Sequence, residues 1–316
     1  MEKRQLGDSD LQVYPITFGG NVFGWTIDEK MSFKLLDAFT GAGFNFIDTA
    51  DVYSRWAPEN KGGESETIIG KWLKQNGNRD KIIIATKVGS DMGDGKKGLK
   101  KKYIVKAAED SLKRLKTDHI DLYQTHFDDT DTPVEETLEA YQQLIAEGKV
   151  RYIGASNMSP ERLRESLDAS AEKGLPRYQT FQPHYNLYDR EGFESTVEPL
   201  ALGNNLGVIP YFSLASGFLT GKYRSKDDFG KSLRGSSMDK YLNDRGFKVL
   251  AVLDEVSKQL NTTPATVALA WLIQRPSITA PIVSATSLDQ LESIIQAPEL
   301  QITAHEIELL TQESTW

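Results

Sequence analysis

The sequence predicts a closed (β/α)8 barrel, the α/β architecture also called a TIM barrel, built from one domain over residues 1–316. Eight short apolar runs rich in β-branched residues alternate with longer segments of helical periodicity. Such alternation is typical of a parallel sheet covered by helices. No linker or low-complexity tract divides the chain. The main alternative is a doubly wound open sheet, which usually has fewer strands.

The predicted strands and helices follow one another along the whole chain. The strands are expected at residues 14–20, 44–49, 81–88, 120–126, 150–156, 178–185, 207–213 and 278–285. The helices are expected at residues 31–43, 65–77, 103–117, 133–149, 159–174, 247–261, 263–276 and 287–296. Ser159-Pro160 is a typical helix start, and Gly174 a typical helix end.

Two segments lie outside a minimal barrel. Residues 1–13 are expected to form a β-hairpin around Gly7-Asp8. Residues 214–245 are rich in Gly, Ser and Lys without a clear period, and they follow the seventh strand. Long loops in compact domains are usually functional or disordered, so this one is expected to cover the C-terminal face of the barrel.

Composition excludes several classes of function. With 37 Lys and Arg against 45 Asp and Glu, the net charge is −8, which argues against a nucleic-acid partner. There is no Cys, so disulfides, thiolate nucleophiles and Cys-ligated metals are excluded, and 4 His leave little room for a metal site. No secretory signal, transmembrane helix or membrane partner is expected, which favours a cytoplasmic protein.

Four polar residues are expected to meet at the C-terminal rim, where barrel enzymes have their active sites. Asp48, Lys87 and His126 end the second, third and fourth strands, and Tyr53 follows Asp48 by five residues. Each has a structural alternative, because such residues also cap helices, lie at the surface or pack in cores. Charged groups at the ends of buried strands weaken those alternatives.

These four residues suggest acid catalysis on a carbonyl. A tyrosine phenol has a pKa of about 10, and a nearby ammonium is expected to lower that pKa. Asp48 would hold Lys87, and His126 would orient the carbonyl oxygen that Tyr53 protonates. Without Cys or a metal cluster, the expected attacking group is a hydride from a bound cofactor.

Several segments resemble the aldo-keto reductase superfamily. They are LGDSDLQV, FGGNVFG, GFNFIDTADVYS, GGESETIIGKWLK, IIIATKVG, IDLYQTH, KVRYIGASN and VIPYFSLASGFLTGKY, in order over residues 4–295. The resemblance is closest to the bacterial branch related to the potassium-channel β subunits.

The resemblance implies an NADP(H)-dependent reductase with Asp48, Tyr53, Lys87 and His126 as its catalytic tetrad. The implied cofactor contacts are Gly20, Asn21, Asp48, Ser156, Asn157, Gln182, Tyr211, Phe212, Ser213, Leu214, Ala215, Gly217, Leu219, Gly221, Lys222, Arg234, Ser284, Thr286, Gln290 and Ser293. Among these, Ser156, Asn157 and Gln182 match positions that bind the carboxamide, and Tyr211 matches a ring that stacks on the nicotinamide. The expected substrate pocket contains Phe23, Trp25, Tyr53, Trp56, His126 and Phe127, although core packing is an equal alternative for Phe23, Trp25, Trp56 and Phe127.

The sequence also departs from the family pattern. Many relatives have Gly at the position of Ser284 and Asn at that of Ser293, and no Arg or Lys directly follows the eighth strand. NAD(H) therefore remains an alternative to NADP(H). Phe127 replaces a commoner Trp after the histidine, which concerns substrate shape.

Three functions are compared. The first is a reductase that converts aldehydes or ketones to alcohols reversibly, with a small-molecule carbonyl or alcohol as its partner. The second is a cofactor-loaded sensor or regulatory subunit with slow turnover. The third is a barrel glycosidase using Asp48 and Glu64, which would leave Lys87 and Tyr53 without a role. Both a monomer and a homo-oligomer are compatible with the sequence.

Other motifs are interpreted as structural. Residues 93–98 spell G-x-G-x-x-G, but they lie too far from the flanking strand and helix for a Rossmann turn, so a loop is expected. The lysines between residues 96 and 102 are expected to form a solvated face. His119, His184 and His305 are expected to be structural.

Overall fold

The computed structural model describes all residues from Met1 to Trp316, and its strands form two sheets. The strands are β1 (Arg4–Gln5), β2 (Gln12–Val13), β3 (Thr17–Gly19), β4 (Phe46–Asp48), β5 (Ile83–Val88), β6 (Ile120–Thr125), β7 (Val150–Ser156), β8 (Tyr178–Gln182), β9 (Gly207–Val208) and β10 (Ile282–Val283). β1 and β2 form the predicted antiparallel hairpin.

The other eight strands form one parallel sheet in the order β10-β3-β4-β5-β6-β7-β8-β9. Its two ends meet, because Val208 bridges to Ile278 in parallel and Ile282 N donates to Pro210 O at 2.8 Å. The predicted (β/α)8 barrel is therefore confirmed.

Helices surround the barrel. They are α1 (Glu29–Gly41), α2 (Glu64–Asn76), α3 (Lys101–Leu115), α4 (Val134–Ala146), α5 (Pro160–Lys173), α6 (Glu191–Glu194), α7 (Glu198–Gly203), α8 (Asp244–Gln259), α9 (Pro264–Ile273), α10 (Leu288–Ile295) and α11 (Ala304–Glu313). Ser159 caps α5 by accepting the Arg162 backbone N–H, and Gly174 ends it with φ 64°, as the sequence predicts. The short helices α6 and α7 and the final α11 were not predicted.

The hairpin closes the bottom of the barrel. Leu6, Leu11 and Val13 are buried against Phe46 and other inward-facing strand residues in one small apolar cluster. Gly7 must remain small, since a Cβ there would lie 2.2 Å from the Gln179 carbonyl oxygen. The closed bottom leaves the opposite, C-terminal face open for a site.

Most of the predicted strands were too long, and in four of them a proline accounts for much of the difference. Pro15, Pro183, Pro210 and Pro281 lie inside the predicted runs but outside β3, β8, β9 and β10. Proline has no N–H to contribute to a ladder, so pairing stops beside it. Outside the strands, the apolar runs continue as irregular backbone, most of which is buried.

The segment of residues 214–245 is ordered as short 3-10 helices at Ala215–Thr220, Lys226–Lys231 and Gly235–Tyr241. It forms part of the wall of a cavity on the C-terminal face, as expected of a functional loop. We call residues 214–245 the strap. None of the helices in the chain has the length and apolar character needed to cross a membrane.

Candidate active site

The ends of three neighbouring strands bring the predicted tetrad together. Asp48 is the last residue of β4, Lys87 lies near the end of β5, and His126 directly follows β6. Tyr53 lies in the loop after β4, with its ring centroid 5.9 Å from that of His126. These contacts follow from parallel register, since the C-terminal ends of neighbouring strands lie side by side.

The ammonium of Lys87 is the centre of the cluster. Its Nζ donates to Asp48 Oδ2 at 2.5 Å, to the Thr49 carbonyl oxygen at 2.8 Å and to Tyr53 Oη at 2.9 Å. The Lys87 side chain is 0 % exposed. Burial acts to lower the pKa of Lys87, but Asp48 and Tyr53 outweigh it, and the net pKa is raised. Lys87 is therefore a permanent cation near neutral pH.

The pKa of Tyr53 corrects an expectation. Burial raises the pKa of the Tyr53 phenol above its ordinary value, and the Lys87 ammonium only opposes that shift. The prediction of a lowered pKa is thus wrong in its net direction. The phenol keeps its proton near neutral pH, and Lys87 lies where it can stabilise the phenolate that forms when the proton leaves.

Two glutamines fix the other oxygen of Asp48. The side-chain amides of Gln124 and Gln182 each donate to Asp48 Oδ1 at 3.1 Å. Gln124 was missed from the sequence, although it lies two residues before His126 and therefore faces the same side of β6.

Asp48 is buried and paired, and Glu64 accepts backbone N–H groups of Lys61 and Gly62. These contacts leave no carboxyl pair across a groove, which removes the basis for a glycosidase.

His126 is held as a neutral ring. Burial first, and then the charge of Lys87, lower its pKa well below the ordinary value. Its Nδ1 lies 2.9 Å from Ser90 Oγ. A serine hydroxyl that donates to Nδ1 leaves the proton on Nε2, so the ring can donate a hydrogen bond from that atom. Ser90 was also missed; its only sequence signal is its place two residues after β5.

A cavity of about 1000 Å³ opens beside Tyr53 and His126 on the C-terminal face. Its walls include most of the predicted cofactor contacts, namely Asn21, Ser156, Asn157, Gln182, Tyr211, Phe212, Ser213, Leu214, Gly217, Lys222, Arg234, Ser284, Thr286, Gln290 and Ser293. The structure does not bring five others to the wall: Gly20, Asp48, Ala215, Leu219 and Gly221. The volume suits a ligand of dinucleotide size.

One wall of the cavity is a connected polar network. Tyr211 Oη donates to Asn157 Oδ1 at 2.8 Å, and Asn157 Nδ2 donates to the His126 carbonyl oxygen at 2.9 Å. Ser156 Oγ donates to the Gln182 carbonyl oxygen at 2.9 Å. Behind this wall, the ring of His184 stacks on Tyr211 with 5.4 Å between centroids. His184 is thus a supporting residue rather than part of the tetrad.

The charge of the cavity wall is opposite to that of the chain. Lys222, Lys231 and Arg234 line the cavity, and none of its lining residues is Asp or Glu. Lys231 is already paired with Asp228 at 2.7 Å. A cationic, acid-free wall in a chain of net charge −8 fits an anionic ligand such as a dinucleotide phosphate.

The start of the strap and the residues just before it approach this wall with an unusual backbone. Phe212, Ala215 and Ser216 have φ values of 54°, 48° and 56°, in the left-handed region that disfavours side chains. Gly217 follows with φ 103°, which glycine adopts without strain. Clustered backbone strain of this kind is typical of functional segments.

Aromatic rings line the other end of the cavity. Trp56 lies edge-on to both Trp25 and Tyr53, with centroid distances of 5.5 and 5.9 Å. Phe127 is 49 % exposed and stacks on His126. Phe23 is fully buried and stacks on Phe18 in the core, so its assignment to the substrate pocket is wrong.

The motifs interpreted as structural behave as expected. The stretch of residues 93–98 is a loop between β5 and α3, with positive φ at Gly93, Gly95 and Gly98. Lys96, Lys97 and Lys100 are exposed.

Comparison with known proteins agrees with this geometry. Residues 15–314 match the Aldo/keto reductase family. The chain belongs to this family of oxidoreductases, and the predicted resemblance is confirmed.

Three relatives of this chain have different descriptions. YrpG of Bacillus subtilis (strain 168), described as an uncharacterized oxidoreductase, is 36 % identical over 98 % of this chain and 95 % of its own. A probable voltage-gated potassium channel subunit beta of Arabidopsis thaliana is 32 % identical over 95 % of this chain and 92 % of its own. L-glyceraldehyde 3-phosphate reductase of Escherichia coli O157:H7 is 31 % identical over 94 % of this chain and 87 % of its own.

Proposed function

We propose that this protein is an NADPH-dependent reductase that converts aldehydes or ketones to alcohols, reversibly, with Tyr53 as the proton donor. The observation that carries the proposal is the position of Lys87 Nζ, 2.9 Å from Tyr53 Oη and 2.5 Å from Asp48 Oδ2, beside a cavity without acidic side chains. Membership in a family of oxidoreductases supports the same conclusion.

The reaction divides the work between the cofactor and the chain. The reduced nicotinamide supplies a hydride to the carbonyl carbon when it is bound. Tyr53 gives its proton to the carbonyl oxygen, and Lys87 stabilises the resulting phenolate. His126 orients the carbonyl oxygen through a hydrogen bond from Nε2, and Asp48 keeps Lys87 charged and in place.

The proposed cofactor site runs from the polar wall to the strap. Ser156, Asn157 and Gln182 would bind the carboxamide, and Tyr211 would pack on the nicotinamide ring. The strap, with Gly217 and Lys222, would hold the phosphates. Thr286, Gln290 and Ser293 line the far end of the cavity, where the adenosine would lie.

Preference for NADPH over NADH stays a prediction. Lys222 offers positive charge to a phosphate, whereas the residues after β10 do not. Binding of both cofactors to the wild-type protein, followed by nicotinamide fluorescence, measures this preference. We expect the lower Kd for NADPH.

A panel of aldehydes and ketones tests the proposal, with the absorbance of the reduced nicotinamide as the readout and Tyr53→Phe as the matched control. We expect several aldehydes to be reduced by the wild type and much more slowly by the variant. Equal, very slow rates for both proteins on every carbonyl would contradict the proposal.

A slowly turning sensor or regulatory subunit is the second candidate, favoured by the similarity to the potassium channel subunit beta of Arabidopsis thaliana. Such a protein would use the same tetrad and cavity. The aldehyde panel separates the two, because a sensor binds NADPH tightly but gives few turnovers on any substrate. A cytosolic location is expected for either function.

A further inference from the structure

Gln124 and Gln182 form a hydrogen-bonded pair beside the active-site cavity. Gln182 Nε2 donates to Gln124 Oε1 at 3.2 Å and to Asp48 Oδ1 at 3.1 Å. Gln124 Nε2 donates to the same Asp48 oxygen at 3.1 Å. Both glutamines are buried, but only Gln182 lines the cavity. Gln124 therefore acts on the site through its two neighbours and not by touching a ligand.

The barrel holds the side chain of Gln124 in one place. In the register of the sheet, Gln124 on β6 lies between Lys87 on β5 and Gly154 on β7. A Cβ on Gly154 would lie 3.1 Å from Gln124 Cγ and 2.2 Å from Thr180 Oγ1, so the glycine leaves the space that this side chain occupies. Gln124 is 0 % exposed, and a side chain packed in this way has few other rotamers.

The pair decides which way the Gln182 amide points. An amide carries two N–H donors on its nitrogen and only acceptor sites on its oxygen. Gln182 directs both donors at Gln124 and Asp48. A reversed amide would place its oxygen against a carboxylate oxygen and a second amide oxygen, which repel it. The nitrogen therefore faces inward, and the acceptor Oε1 faces the cavity.

We propose that Gln124 is a positioning residue, which holds the Gln182 amide with its oxygen toward the cavity so that the site selects a cofactor with a carboxamide NH2. Asp48 alone would leave one N–H of the Gln182 amide without an acceptor inside the barrel. Gln124 Oε1 supplies that acceptor and so stops the amide from turning about its last bond. This inference rests on the proposed function, in which Gln182 binds the carboxamide.

The same carboxylate supports both halves of the proposed site. Asp48 Oδ2 accepts from Lys87, which contacts the proton donor, and Asp48 Oδ1 accepts from the two glutamines. Gln124 thus belongs to a continuous buried network that runs from the ammonium to the cofactor-binding amide.

Isothermal titration calorimetry of the full-length protein with two dinucleotides tests the proposal. The ligands are NADP⁺ and its 3-acetylpyridine analogue, in which a methyl group replaces the carboxamide NH2. We expect the wild type to bind NADP⁺ about three- to tenfold more tightly, the usual net effect of one hydrogen bond. In Gln124→Met the ratio of the two Kd values should fall toward one, mainly because the Kd for NADP⁺ rises.

Three further variants separate orientation of the amide from a structural effect. Gln124→Glu keeps an oxygen acceptor for Gln182 in either protonation state of the new carboxyl, so it should keep the ratio. Gln182→Met should bring the ratio to one, and Gln124→Met/Gln182→Met should lower it no further, because Gln124 acts through Gln182.

Thr125→Val is the matched control for the loss of a buried polar group from β6. The Thr125 hydroxyl lies 2.8 Å from Tyr141 Oη, on the opposite side of the strand from Gln124. This variant should lower the urea midpoint and leave the ratio of the two Kd values unchanged.

The outcomes are distinct. A ratio that falls in Gln124→Met but is kept in Gln124→Glu and Thr125→Val supports the inference. An unchanged ratio in Gln124→Met overturns it, and so does an equal fall in Thr125→Val, which would indicate a general loosening of β6. If Gln124→Met does not fold, an unchanged ratio in Gln182→Met or a lost ratio in Gln124→Glu overturns the inference, and the opposite results support it.

Failure of the inference is distinguishable from failure of the proposed function. A wild type that binds both dinucleotides equally but reduces aldehydes overturns the inference and leaves the reductase function standing. A wild type that binds neither dinucleotide and reduces no aldehyde contradicts both.

Discussion

Lys87 Nζ lies 2.9 Å from Tyr53 Oη, and the same ammonium is bound by Asp48 at 2.5 Å. This contact joins the end of β5 to the loop after β4, two segments separated by more than thirty residues. Because Lys87 is fully buried, its charge acts on Tyr53 without screening by water. The contact allows the phenol to lose its proton during a reaction while keeping that proton at rest.

Removal of the Tyr53 hydroxyl should abolish most of the proposed activity. Positioned acids contribute about 10²- to 10⁴-fold to a rate, so Tyr53→Phe is expected to reduce kcat by that factor. The Kd for NADPH, measured by fluorescence titration, should change little, because the hydroxyl acts on the substrate. A variant that retains wild-type kcat would show that another group donates the proton.

Replacement of Lys87 should reduce both activity and stability. Lys87→Met leaves Asp48 buried without its cation, and breaking a buried ion pair typically costs about 3–5 kcal/mol. We expect a lower urea midpoint and loss of most turnover. The double variant Asp48→Asn/Lys87→Met should recover stability but not turnover. Wild-type turnover in Lys87→Met would count against the role of the ammonium.

The contact of Ser90 with His126 should matter for substrate orientation. Ser90→Ala removes the partner of Nδ1 and frees the ring to adopt the other tautomer. We expect kcat/KM to fall about tenfold, in line with one lost buried hydrogen bond. Circular dichroism should show an unchanged fold. An unchanged kcat/KM would mean that Ser90 does not orient the imidazole.

Asp51 is predicted to make the stability of the fold depend on pH. It is 2 % exposed, neither of its carboxylate oxygens has a hydrogen-bond partner, and burial, with Glu66 nearby, raises its pKa to about 8. A carboxyl whose pKa is raised in the folded state binds its proton more tightly there than in the unfolded state. Asp51 therefore makes stability fall as pH rises from about 4 to about 8.

Asp51→Asn removes this dependence because the amide cannot ionise. We expect the variant to be more stable than the wild type, with an advantage that grows by up to about 1.4 kcal/mol per pH unit between pH 5 and pH 8. Urea unfolding at the two pH values measures the difference. An advantage that is equal at both values would indicate that Asp51 is ionised in the native protein throughout.

The fold and the tetrad could be predicted from the sequence because both depend on local signals. Asp48, Lys87 and His126 end apolar runs, and strand ends meet at one rim of any parallel barrel. Strand bounds were harder to predict, since Ile278 and Ala280 are as buried and apolar as strand residues but lie outside β10.

Side-chain environment could not be predicted in the same way. Phe23 and Trp25 belong to one motif, yet the first packs in the core and the second lines the cavity. The pKa of Tyr53 depends on the balance between burial and the charge of Lys87. Neither the burial of the phenol nor its distance from Lys87 can be predicted from composition. The position of Arg234 over Trp25 likewise depends on how the strap folds.

A single-turnover experiment tests the central claim most directly. The wild-type protein and Tyr53→Phe, each loaded with NADPH that carries deuterium at the transferable position, are mixed with benzaldehyde, and the alcohol is analysed by mass spectrometry. We expect the wild type to form benzyl alcohol with one deuterium, and Tyr53→Phe to form it at least about a hundredfold more slowly. Unlabelled alcohol, or equal rates for the two proteins, would contradict the claim.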